Sequence, residues 1–222
     1  MARRREEERQ LERGTASVLY RPRVETFEPE GIDDVQRLLI VLAPEGSRRR
    51  RVITVGRKRL PGPGRHERFW GFVDLVLDSE ADLRAALDAH TYATKTRGVR
   101  HLPAARPVGE GDYTIAWHDS HAHLRLSISN IVSDDPVVAD LSVDPQTDYI
   151  ISVANPDASA WGLDEQPPLQ MELFDEIEVH VTLPTPFPAR LQSRFRDNRY
   201  AQLDTIEFLD HPGAELVFIA EG

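Results

Sequence analysis

Apolar and polar residues alternate in short runs along this chain, and turn-favouring residues separate the runs. That pattern predicts antiparallel strands joined by tight connections. Residues 16–24 form the first run, where Pro22 suits a sheet edge. Residues 37–43 and 69–77 are apolar on both faces and are expected to be central, with 51–57 as a further strand after the turn at 44–47. Residues 113–130 read as a hairpin, and 147–154, 176–183 and 214–220 as further strands. Ser79, with Asp82 three positions on, predicts a helix start. Its Leu83, Ala86, Leu87 and His90 share a face, and the helix should run to about residue 93. Pro188 suits the start of a second helix through about Tyr200, with Leu191 and Phe195 buried.

Eight or nine strands with two or three short helices predict a β-dominated α+β protein. The sheet should be mainly antiparallel, as a sandwich or an open barrel-like sheet. Short turns argue against parallel crossovers. Residues 1–14 read as a charged arm or helix. Residues 15–222 read as a single domain, with a candidate internal boundary in the irregular stretch 97–111.

Composition narrows the chemistry. The 222 residues can bury a core without covalent staples. Cysteine is absent, which excludes disulfides, thiol nucleophiles and thiolate metal sites. No apolar run is long enough to span a bilayer, and no apolar stretch follows the N-terminal arginines, so no membrane contact and a cytoplasmic location are expected. The net charge of −10 is unevenly placed. Arg48, Arg49, Arg50, Arg51, Arg57, Lys58, Arg59, Arg65 and Arg68 crowd one segment, whereas residues 131–189 hold no Lys or Arg.

The densest chemistry is Trp117-His-Asp-Ser-His-Ala-His123. Side-chain parity fixes a register for it. With Asp119-Ser120 as the turn, His118 opposes His121 and Trp117 opposes Ala122, so the apolar faces coincide and the polar faces coincide. His118, His121 and His123 then project from one polar face, at a cross-strand spacing of about 5 Å that lets imidazoles share an ion. Zinc, iron or manganese are the candidate metals, with Asp119 as a fourth ligand or outer partner. His180 joins only if its strand lies alongside. A wet hairpin tip would equally carry three solvated histidines.

The basic segment offers an anion site for phosphate, nucleic acid or an acidic partner, through Arg48, Arg49, Arg50, Arg51, Arg57, Lys58 and Arg59. Trp70 and Phe72 could stack on bases. The competing reading pairs these arginines with the chain's own acids, and the acidic total favours it. Asp74 interrupts an apolar strand, so it is either ion-paired, with Arg57 as a partner if the two strands pair, or functional with a raised pKa. Glu172, Asp175, Glu176 and Glu178 read as a solvated strand edge.

Three functions remain open on these residues. The first is a non-enzymatic binding or interaction protein, for an unknown protein or anionic ligand, with a charge-polarised surface. The second is a metal-dependent enzyme, hydrolytic or oxygen-activating, centred on His118, His121 and His123. The third is an RNA- or phosphate-binding module using residues 48–59.

Overall fold

A computed structural model describes residues 8–62, 67–96, 98–157 and 186–221. Its strands are β1 (Arg9–Pro22), β2 (Val35–Pro44), β3 (Arg50–Val55), β4 (Arg68–Leu77), β5 (His90–Thr94), β6 (Gly98–Leu102), β7 (Arg106–His118), β8 (His121–Ile128), β9 (Gln146–Ala154), β10 (Tyr200–Gln202) and β11 (Glu215–Ala220). Among the described residues two short α-helices, α1 (Glu80–Leu87) and α2 (Ala189–Gln192), accompany them. The strands β1-β2-β3-β4-β11-β9-β8-β7 pair in that order, each antiparallel to the next, and β7 returns to β1. The result is a closed eight-stranded barrel, where the sequence suggested a sandwich or an open sheet. β10 extends β9 beyond the end of β8, and β5–β6 is a separate hairpin. Among the described residues no helix is long and apolar enough to cross a membrane.

Side chains fill the barrel, as expected for eight strands. Val18 and Tyr20 of β1, Leu38, Ile40 and Leu42 of β2, and Leu124 and Leu126 of β8 are buried in one continuous core. The double-sided apolarity of β2 has a direct cause. Leu39 and Val41 face outward and pack with Val52, Leu83 and Leu87, so α1 covers this part of the barrel wall. A bulge in β4 explains its own pattern. Ile53 pairs with Val73 and Val52 with Leu75, which leaves Asp74 as the extra residue and lets both Val73 and Val76 meet the core. Glycines sit where strands crowd. A Cβ on Gly14 would stand 2.1 Å from the Ala43 carbonyl oxygen, and one on Gly111 1.8 Å from that of Ser127.

Charged side chains also lie deep in this wall. Arg51 is 2% exposed and donates to Glu12 at 2.5 Å and Asp210 at 2.8 Å, while the Tyr113 hydroxyl donates to Glu12 at 2.8 Å. Burial alone would lower the Arg51 pKa, but the two carboxylates hold it above its ordinary value. Arg21, also buried, donates to the carbonyls of Ala86, Asp88 and Pro103 and so ties the end of α1 to β1.

Several element boundaries differ from expectation. Residues 9–14, assigned to the charged arm, form the first part of β1, because Arg13 and Glu12 find partners in Glu45 and Arg51. Pro22 tolerates a strand between two neighbours because it lies past the last pairing with β7. Helix α1 is capped by Ser79, whose hydroxyl accepts from the Asp82 amide, but it stops at Leu87. The β-branched and aromatic residues of His90–Thr94 then form β5. Residues 97–111, read as irregular, contain β6 and the start of β7. The helix from Pro188 ends early because Arg196 and Asp197 adopt positive φ, and Tyr200 opens β10. The strand 176–183 lies outside the described residues.

Replacing Arg51 by Ala leaves Glu12 and Asp210 without their counter-ion. Urea unfolding of that variant should show a loss of about 3–5 kcal/mol. A loss below about 1 kcal/mol would mean that water, not protein, solvates the two carboxylates.

Candidate metal centre

The site begins with the hairpin β7–β8. Its two-residue turn is Asp119-Ser120, where Asp119 takes the left-handed conformation at φ 53°, a state that Asp tolerates better than most residues. His118 pairs with His121, Trp117 with Ala122 and Ala116 with His123. This is the register that parity demanded. Ala122 and Leu124 point into the core, so the histidines lie on the outer wall.

The three rings converge. Their centroids are 6.3 Å apart for His118 and His121, 5.8 Å for His118 and His123, and 4.8 Å for His121 and His123. One ligand atom from each lies within 4.8 Å of the others. His118 and His121 are partly exposed, whereas the His123 side chain is only 4% exposed although it faces outward. The neighbouring rings and β9 cover it. Across the β8–β9 pairing, Arg125 opposes Asp148 and His123 opposes Ile150, which sets Asp148 diagonally beside His123 on the same face. The Nδ1 of His123 stands 2.8 Å from Asp148 Oδ1 and 3.6 Å from Glu221 Oε2. Arg125 Nε donates to the other Asp148 oxygen at 2.9 Å, and Arg125 also contacts Glu8.

Nε2 of His123 is buried and finds no hydrogen-bond partner among the described residues. A buried polar nitrogen without a partner is costly, so it calls for an explanation. With Nδ1 taken by a carboxylate, Nε2 is the ring atom left to bind something. This carboxylate–imidazole arrangement is the usual surrounding of a metal-bound histidine.

Asp119 does not belong to the converging group. Its carboxylate is 3.7 Å from His118 Nδ1 and well exposed, in the role of a surface partner. The carboxylates that do approach, Asp148 and Glu221, carry no local signal, because only the strand order places them there. His180 lies outside the described residues, as do Glu172, Asp175, Glu176 and Glu178.

The basic segment is engaged with the chain's own acids. Arg49 pairs with Asp210 and Asp78, Arg50 with Glu80, Arg51 with Glu12 and Asp210, and Arg59 with Glu67. Arg57 and Arg59 lie over the Phe69 ring at 5.2 and 4.9 Å. Arg48 is exposed at the turn, and Lys58 has positive φ in the next turn. Trp70 is partly buried and packs against Tyr200, with ring centroids 5.9 Å apart, while Phe72 is buried and offers no stacking face.

Asp74 pairs with Arg37 at 2.9 Å, not with Arg57, and accepts from the Thr54 hydroxyl at 3.3 Å. The β4 bulge turns Asp74 to the outer wall, towards β2. Burial raises its pKa above the ordinary 3.8, against the opposing pull of Arg37, Thr54 and Arg21. No family model, curated protein or solved structure matches the chain.

A raised carboxyl pKa favours the folded state while the group is protonated, so its contribution is full below the unfolded value and falls as pH rises through the folded one. The stability difference between the wild type and Asp74→Asn should therefore shift against the wild type as pH rises from about 3 towards neutrality. Urea unfolding across that range checks it, and a difference moving the other way would mean that Arg37 outweighs burial.

Proposed function

We propose that this protein is a transition-metal-binding barrel in which His118, His121 and His123 hold one divalent ion on the outer wall. The buried, unpartnered Nε2 of His123, on a ring whose centroid lies 5.8 and 4.8 Å from those of the partly exposed His118 and His121, carries this reading. Three neutral nitrogen donors suit zinc best and also accept copper, nickel or iron; manganese prefers oxygen. Metal–nitrogen bonds of 2.0–2.1 Å place tetrahedral donors about 3.4 Å apart. The rings must therefore close from the present spread of up to 4.8 Å, and the exposed positions of His118 and His121 leave them room to do so.

Three protein ligands leave a position for water or for a group from elsewhere, and a bound water there would be acidified. Two clefts lie around Arg13, Pro44 and Glu45, and the trio lines neither of them. The reading therefore stays with binding and assigns no reaction. It merges the binding-protein and metal-site readings of the sequence. Nucleic acid is not favoured as a partner, because Arg49, Arg50, Arg51 and Arg59 already hold carboxylates.

Chelator-stripped full-length protein should take up about one equivalent of zinc or cobalt(II). The double variant His121→Ala/His123→Ala should take up none while its far-ultraviolet circular dichroism stays unchanged, since the rings face away from the core. Undiminished uptake by that folded variant would remove the hairpin as the site.

A further inference from the structure

We infer that Asp148 is a positioning residue that fixes the proton of His123 on Nδ1, and that Arg125 fixes which way the Asp148 side chain can be read. As a claim about metal affinity this rests on the metal-binding reading above. As a claim about the imidazole proton it stands without it.

His123 Nδ1 lies 2.8 Å from Asp148 Oδ1, a hydrogen-bond distance, and an ionised carboxylate only accepts. In the neutral ring the proton then sits on Nδ1, which leaves a bare lone pair on the buried Nε2. The second oxygen of Asp148 accepts from Arg125 Nε at 2.9 Å. Both carboxylate oxygens are thus spoken for, one by the ring and one by the guanidinium.

His123, Asp148 and Glu221 also form a cluster of metal-binding residue types. Two features argue against a second ion there. The 2.8 Å contact is closer than the roughly 3.4 Å between donors that share a tetrahedral metal. Arg125 brings a fixed positive charge to the same carboxylate. The cluster is better explained as the support that aims His123.

A substitution follows that ordinary loss of charge would not suggest. In Asp148→Asn, one carboxylate oxygen becomes an NH2 group. Arg125 Nε–H can only donate, so the amide oxygen stays with it and the NH2 turns towards His123. Nδ1 must then accept, and its proton moves to Nε2, where it blocks the lone pair. The same logic underlies the loss of function when the aspartate of a catalytic triad becomes asparagine. Removing Arg125 frees the amide to rotate and offer its oxygen to Nδ1. The double variant Arg125→Ala/Asp148→Asn should therefore recover what Asp148→Asn alone has lost. Asp148→Ala imposes neither tautomer and should fall between the two.

The test uses the full chain with nitrogen-15 in its histidines. At about pH 8–9, above the ordinary imidazole range, nitrogen chemical shifts report which ring nitrogen carries the proton. Metal-free wild type should show Nδ1–H with bare Nε2, Asp148→Asn the reverse, and the double variant a return to the wild-type pattern. Zinc affinity, from competition with a chromophoric chelator, should fall ten- to a hundredfold in Asp148→Asn and recover in the double variant. Glu221→Gln should change it by less than about twofold, as expected of a carboxylate outside hydrogen-bond range. Should Asp148→Asn fail to fold, Asp148→Ala carries the test, as a mixture of tautomers with a smaller loss of affinity.

An unchanged proton position in Asp148→Asn overturns the inference, and so does a reversed position with undiminished zinc affinity. Two equivalents of zinc, one of them lost in Glu221→Gln, would overturn it in favour of a second ion. If wild type binds no zinc yet the proton reverses, the metal reading fails and the positioning role of Asp148 stands.

Discussion

The backbone pairing of β8 with β9 closes the barrel, and most of what is distinctive in this molecule follows from that seam. Without it the sheet would end in two open edges, each with a row of unpaired amide and carbonyl groups. With it, every barrel strand has a neighbour on both sides. The same pairing sets Asp148 beside His123 and opposite Arg125. One ladder of hydrogen bonds thus completes the scaffold and builds the polar surroundings of the histidine cluster. Aiming a side chain from rigid strands is more exact than aiming it from a loop.

Charge is handled differently in the two parts of the wall. Inside it, Arg51 is matched by Glu12 and Asp210, drawn from the first strand and from near the end of the chain. Each of these groups would be expensive to bury alone, and together they join segments far apart in sequence. On the outer wall, Arg125 and Asp148 are half-exposed, so their mutual attraction is modest. Their geometric effect on the neighbouring ring is the larger one.

How much of this was legible in the sequence depended on the range of the interaction. The β7–β8 register could be read because it is local: a two-residue turn and a strict alternation of apolar and polar residues leave one alignment that keeps Trp117 and Leu124 on the same side as Ala122. The apolar faces of β2 could be seen, but their reason could not, since the outer one is covered by α1. Asp148 could not be found. It sits in an ordinary alternating strand, and the long connection between β8 and β9 carries no signal of their pairing. The partner of Asp74 was missed for a related reason: the two strands do pair, but Val55 stands opposite Gly71, so Arg57 lies beyond the end of β3 and Asp74 sits beside Thr54 within reach of Arg37 on β2. The shortfall of both helices was local and physical: β-branched residues follow α1, and left-handed residues follow α2.

The pairing of β1 with β7 has a kinetic consequence. β1 to β4 form a meander whose contacts are close in sequence, but the second edge of β1 must wait for a strand roughly a hundred residues later, and such distant contacts slow folding. During synthesis that edge emerges long before its mate. Its early part, Arg9, Glu12 and Arg13, is charged and alternates in sign, which discourages pairing with a stray strand. The residues that later anchor the finished wall can thus act beforehand as gatekeepers, keeping a half-made sheet from joining another chain.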